Sequence, residues 1–200
     1  MRADDFFDIN DSWEFYDVFG TSKSPIEWLR DISAAILKKV DGCILRNDIP
    51  SGCHVGDNVF IHHTVKLPPI CVIEGPAYIG ENTTIRPFAY IRDNVIIGNN
   101  CLIGNSCEIK NSIILNNVQI PHFNYVGDSV LGNFSHLGAG VILANLRLDK
   151  RPIVAHFAGE QIVTNLRKFG AIVGDHSEVA CNVVLNPGTI LGKNSVVFGK

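Results

Sequence analysis

Residues 73–115 read IEGPAYIGENTTIRPFAYIRDNVIIGNNCLIGNSCEIKNSIIL, and in them Ile73, Ile79, Ile85, Ile91, Ile97, Ile103, Ile109 and Leu115 recur every six residues. Upstream the series continues through Leu67, Ile61 and Val55, with Ile49 as its opening. Four residues after each aliphatic from Val55 to Ile109 comes a mostly small or β-branched one: Val59, Val65, Cys71, Ala77, Thr83, Ala89, Val95, Cys101, Cys107 and Ile113. Glycine follows the aliphatic at Gly56, Gly80, Gly98 and Gly104. A period of six fits neither the 3.6 of a helix nor the 2 of a single strand, so the repeating unit is a short strand plus a turn. Three units close one triangular coil, and coils stacked about 4.8 Å apart by parallel pairing put the aliphatics in columns inside a prism. Each buried aliphatic then contributes roughly 1.5–3 kcal/mol before chain entropy is set against it.

The phase returns at Val126, Leu131, Leu137 and Leu143, and again at Val173, Val179, Leu185, Leu191 and Val197. Leu115 to Val126 is eleven residues and Val126 to Leu131 is five, so the repeat slips near Pro121-His122-Phe123-Asn124-Tyr125. A bulge or an altered corner there would turn His122 outward. Adjacent His62 and His63 are expected on opposite faces of a strand, which argues against a shared metal. Cys53, Cys71, Cys101 and Cys107 fall at the small inward position and read as structural; Cys43 and Cys181 have no assignment.

Lys+Arg 17 against Asp+Glu 20 over 200 residues, with 46% hydrophobic residues, excludes a disordered chain and a basic nucleic-acid binder. No apolar run has the length of a membrane span, the start MRADDFF is not a signal peptide, and the six Cys show no CxxC spacing. A cytoplasmic protein without nucleic-acid or membrane partners is the expectation.

Two segments stand outside the repeat, giving residues 1–48 as an N-terminal unit and 49–200 as the prism with an insertion at 144–170. Ser24-Pro25-Ile26-Glu27 has the form of a capping box and predicts a helix over about 25–40, with Leu29, Ile32, Ile36 and Val40 on one stripe. Before it, Phe6, Phe7, Trp13, Phe15, Tyr16 and Phe19 alternate with acidic residues. These rings either pack on the end or flank of the prism or form an arm that docks a partner. In the insertion, RPIVAHF and QIVTN flank a turn and predict a β-hairpin. Its basic residues Arg147, Lys150, Arg151, Arg167 and Lys168 either decorate the surface or reach toward a phosphate-bearing ligand.

The repeat resembles the left-handed parallel β-helix, an all-β solenoid, of hexapeptide-repeat acyltransferases, and the handedness comes from that resemblance. The strings CEIKNSIILNN, PHFNYVGDSVLGNFSHLGAG, ANLRLD and NLRKFGAIVGDHSEV resemble the acetyltransferase half of bifunctional N-acetylglucosamine-1-phosphate uridyltransferase and its free-standing sugar-phosphate relatives, over about residues 73–197. The resemblance implies acetyl transfer from acetyl-CoA to an amino sugar phosphate, glucosamine 1-phosphate first among acceptors, without a metal and in a homotrimer whose site lies between subunits. It implies His122 as general base, Glu108 as the carboxylate orienting it, Asn145 as a polar group near the acetyl, and Ala139 as an oxyanion donor. It likewise implies Lys110, Tyr125, His136, Lys168 and either Arg92 or Arg86 as sugar-phosphate contacts, and Ala139, Cys181 and Gly199 beside coenzyme A. An imidazole of ordinary pKa near 6.5 suits proton removal from an attacking amine.

The chain departs from the family pattern at His136 and Leu146, where Asn and an aromatic residue are usual. No Gly-rich nucleotidyltransferase signature occurs in residues 1–50, so a separate uridylyltransferase chain is the expected partner for nucleotide transfer. The alternative reading is a non-catalytic sugar-nucleotide-binding or scaffold trimer that docks a partner enzyme through its N-terminal arm.

Overall fold

The computed structural model describes residues 1–40 and 48–199; Cys43 lies outside the described residues. The repeat folds as a three-sided left-handed solenoid whose faces are parallel sheets of seven, seven and six strands, joined by one two-stranded hairpin. On the first face Ile73, Ile91, Ile109, Val126, Leu143 and Leu185 pair in register from coil to coil. The second face stacks Ile61, Ile79, Ile97, Ile114, Leu131, Val173 and Leu191. On the third, Ile85, Ile103 and Ile120 continue into Leu137, Val179 and Val197. These aliphatics form one continuous core with the small residues between them. The thiols behave as expected: Cys71, Cys101 and Cys107 are buried and Cys53 half-buried. Burial pushes the Cys71 and Cys101 thiols up to about 12.

The position of the phase slip differs from the sequence expectation. Ile114, not Leu115, sits beside Ile97 inside the prism, and Ser112, not Ile113, fills the small inward position, its Oγ donating to the Lys110 carbonyl at 2.7 Å. The steps from Ile109 to Ile114 and from Val126 to Leu131 are five residues, both at the corner between the first and second faces. There Asn111 and Asp128 adopt left-handed backbone, with φ of 45° and 49°, a conformation their short polar side chains tolerate. His122 therefore needs no bulge; it ends the regular strand Gln119–His122 and pairs in register with Asn105. Ile113 and Leu115 imitated the inward pattern because the second face is apolar outside as well.

That outer apolar layer is covered by the N-terminal segment. The helix Pro25–Val40 begins with Glu27 accepting the Ser24 N–H at 3.1 Å and Ser24 Oγ accepting the Ile26 N–H at 3.4 Å. Its apolar stripe and the upstream rings pack on Ile96, Ile113, Val130 and Ile172. Phe6, Phe15, Phe19 and Trp28 are fully buried, and Phe15 meets Tyr78 of the prism edge-on at 5.0 Å. The rings thus pack on the flank, and they are not available as a docking arm. The predicted hairpin forms from Val154–Phe157 and Glu160–Val163 and joins the same layer, with Phe157 4.7 Å from Phe6. A buried carboxylate ties this layer to the prism: Asp175 accepts the Asp8 and Asn133 N–H groups at 2.7 and 2.6 Å.

Candidate active site

The solenoid places four of the sequence-predicted residues in one column. Two residues past each inward aliphatic of the third face, at its corner with the first, stand Asn105, His122, Ala139, Cys181 and Gly199 on successive coils. The Gly140 N–H donates to the His122 carbonyl at 3.0 Å, and the Asn182 N–H to the Ala139 carbonyl at 2.8 Å, which ties the coils together here. Gly138 is required by this approach, since a Cβ on it would lie 2.6 Å from the Cys181 nitrogen. The His122 side chain is exposed and makes no hydrogen bond among the described residues. Likewise the Ala139 N–H has no acceptor among them. The column therefore presents an open imidazole and, one coil or about 4.8 Å along, an undonated amide, followed by the exposed Cys181.

The first face carries the charged groups. Tyr90, Glu108 and Tyr125 stack in register on its outside. Arg92 Nη1 donates to Glu108 Oε1 at 2.8 Å, its guanidinium lies 5.8 Å from the Tyr90 ring, and its Nε is buried without a partner among the described residues. The hydrogen bond that it donates to Glu108 raises the Arg92 pKa above its ordinary value. In this structure Glu108 is bonded to Arg92, and the His122 ring has no hydrogen bond to it among the described residues. The register explains it, since Glu108 stands beside Tyr125, three residues beyond the imidazole.

At the opposite edge of the same face Lys110 Nζ lies 3.6 Å from Asp128 Oδ1. Asn145 Nδ2 donates to Asp128 Oδ2 at 2.5 Å and to the Tyr125 hydroxyl at 3.1 Å. Burial raises the Tyr125 pKa. Asp128 was not singled out in the sequence; the five-residue step after Val126 was the available signal. Asn145 follows its strand in the register of Asp128, while Ala139 follows that of His122. About six residues, or roughly 15–20 Å of nearly extended chain, separate the two edges. Within one chain His122 and Asn145 do not meet.

The remaining predicted residues are spread out. Arg92 shares its face with Lys110 and Tyr125, whereas Arg86 is exposed at the corner of the third face. His136 points outward on the third face between Gln119 and Glu178. Lys168 bridges to Leu146, next to Asn145. The His62 and His63 rings lie 4.3 Å apart rather than on opposite sides, and His62 Nδ1 pairs with Thr64 Oγ1 at 2.9 Å. Among the described residues no three metal-type side chains converge, and no helix is long and apolar enough to cross a membrane.

Comparison with known proteins fits this architecture. The chain is 41% identical over 162 residues to the bifunctional protein GlmU of Methanococcus vannielii, covering 81% of this chain and 38% of that protein. It is 34% identical over 157 residues to the bifunctional sugar-1-phosphate nucleotidylyltransferase/acetyltransferase of Sulfurisphaera tokodaii, covering 72% and 38%. The chain thus spans about two fifths of the length of these curated relatives. A Bacillus cereus crystal structure named as an acetyltransferase superposes with a TM-score of 0.59 at 17% identity, over 74% of this chain and 80% of that one, and shares the fold. Residues 73–198, more than half of the chain, match the family described as the GMPPB C-terminal domain; this chain, a hexapeptide-repeat left-handed β-helix, belongs to that family.

Proposed function

We propose that the chain is an acetyl-CoA-dependent N-acetyltransferase acting on an amino sugar phosphate, with glucosamine 1-phosphate as the leading acceptor. The observation that carries this reading is the corner column of His122, Ala139, Cys181 and Gly199, where an unpaired imidazole and an unpaired amide stand one coil apart. Acetyl-CoA supplies a thioester carbonyl open to attack by an amine. His122 accepts the proton that the amine loses and returns it to the departing thiolate. The Ala139 N–H donates to the oxygen that gains negative charge during transfer. Cys181 and Gly199, continuing the column, leave a shallow path for the pantetheine arm.

On the first face Lys110 and Arg92 are held by carboxylates before any ligand arrives. Arg92 keeps donors beyond the one given to Glu108, and with Lys110 and Tyr125 it forms the acceptor phosphate contact. Asn145 completes the site from the facing edge of a neighbouring subunit in a homotrimer, because one chain keeps it apart from His122. The reading places the protein in the cytoplasm and assigns acetyl transfer, not uridylyl transfer, to these residues. The alternative of a docking scaffold loses its basis in the N-terminal rings, which are buried in the chain itself.

The test is thiol release from acetyl-CoA with glucosamine 1-phosphate, glucosamine 6-phosphate, galactosamine 1-phosphate and glucosamine as acceptors. Turnover with one 1-phosphate, lowered about 10²–10⁴-fold in His122→Ala, is the expected result. Because the His122 ring bonds nothing among the described residues, the variant should fold as wild type, and an unchanged rate would remove His122 from the chemistry. No turnover with any acceptor by folded trimer would remove the acetyltransferase reading.

A further inference from the structure

The N-terminal helix and the insertion enclose an open pocket of about 520 Å³ at the edge of the first face, beside Asn145. Cations reach it from three separate segments: Arg30 from the helix, Lys150 from the loop, and Arg167 and Lys168 where the insertion rejoins the solenoid. The one carboxylate in its lining, Asp128, is already satisfied by Asn111, Asn145 and Lys110. Lys150, Arg167 and Lys168 form no ion pair among the described residues. In a chain of net charge −3, four like charges gathered around a cavity repel one another unless an anion sits between them.

The backbone that carries these cations is fixed. Arg30 Nη2 donates to the Thr164 carbonyl at 3.2 Å. Thr164 Oγ1 donates to the Ile153 carbonyl at 2.6 Å and accepts the Leu166 N–H at 3.1 Å. Leu29, Leu146 and Leu166 supply an apolar wall. A lone phosphate would fill a small part of this volume and leave that wall uncovered; a ring attached to two phosphates would use both.

We propose that this pocket is a nucleoside-diphosphate subsite, with the phosphates between Arg30, Lys150 and Arg167 and the ring against the leucines. The inference goes beyond acetyl transfer and is read by binding alone, so its failure and that of the acetyltransferase reading are distinguishable.

Titration calorimetry on the full chain with ADP, UDP, coenzyme A, a UDP-hexosamine, pyrophosphate and glucose 1-phosphate provides the test. The nucleotides should bind at least about tenfold more tightly than the sugar monophosphate. Arg30→Gln and Arg167→Gln should each weaken binding about five- to tenfold and flatten its salt dependence. Arg167 is exposed and its side chain bonds nothing among the described residues, so the Arg167→Gln melting curve should not move, whereas Arg30→Gln also loses the bond to Thr164 and its melting curve is measured alongside binding; acetyl transfer to a monophosphate acceptor should keep its kcat in both. Coenzyme A binding lost in Arg30→Gln would identify the acyl donor as the source of the phosphates; UDP-hexosamine binding lost in the same variant would identify a nucleotide sugar. Pyrophosphate binding as tightly as ADP and UDP would overturn the ring contact. No binding by any probe at about 1 mM, or affinities equal in wild type and variants, would overturn the site.

Discussion

Arg92 and Glu108 stand on neighbouring coils of the first face and share a hydrogen bond of 2.8 Å, so in this structure the carboxylate holds the guanidinium while the His122 ring bonds nothing among the described residues. With both side chains about one third exposed, water screens the pair, and its loss costs only about 0.5–1 kcal/mol of positioning. Glu108→Gln should therefore raise the KM for the phosphate-bearing acceptor about two- to fivefold, with kcat and its pH profile little changed. A kcat lowered about 100-fold with a displaced acidic limb would instead mean that Glu108 acts through His122.

The N-terminal rings make a claim about stability. Phe15 is fully buried between the helix and Tyr78, and truncating such a ring costs about 3–5 kcal/mol. Phe15→Ala should lower the unfolding free energy from urea titration by that amount, with the midpoint falling in proportion, and removing residues 1–20 should expose the outer apolar layer of the second face and cause aggregation. A truncated chain that stays folded and monodisperse while losing only a co-purifying protein would overturn the flank packing and restore the docking arm.

The columns were legible because every coil repeats the same demand, an aliphatic inside each face, and six-residue spacing expresses it directly. The helix and the hairpin were legible for local reasons, a capping box and a turn between β-rich runs. Where the reading failed, two periodic demands overlapped. Ile113 and Leu115 are apolar because the N-terminal layer covers them, and nothing local separates that requirement from the inward column. Asn111 and Asp128 each remove one residue from a corner, and the slip shows in the sequence only further along, near His122. The site was legible as a column, because residues one coil apart share a register; the partner of Glu108 was not, since it depends on which way two outward side chains lean.

Asp175 gives a pH dependence. Burial holds its carboxyl above the ordinary 3.8, although it accepts the Asp8 and Asn133 amides. With the folded-state pKa raised, the folded chain takes up the proton before the unfolded chain does, so this group adds stability as pH falls through the folded value and levels off below 3.8. The stability difference between wild type and Asp175→Asn should therefore grow in favour of wild type as pH is lowered from neutrality toward 4, on top of a hydrogen-bond loss of about 1–3 kcal/mol. Urea titrations of both proteins across that range provide the check; a difference that shrinks with falling pH would mean the carboxylate is stabilised, not strained, by its burial.

The separation of His122 from Asn145 leads to a prediction that no single variant can make. The two residues occupy opposite edges of the first face, so a site built from both must take one from each of two neighbouring chains. His122→Ala and Asn145→Ala should each be nearly inactive alone. After unfolding together in equal amounts and refolding, a quarter of the interfaces would pair an intact His122 from one chain with an intact Asn145 from the next, and activity should recover to about one quarter of wild type. Chains that each hold a whole site could not complement, because every polypeptide in the mixture would carry one defect. Recovery well above the sum of the separate variants supports the shared site, and its absence in refolded mixed trimers would place Asn145 outside the chemistry of His122.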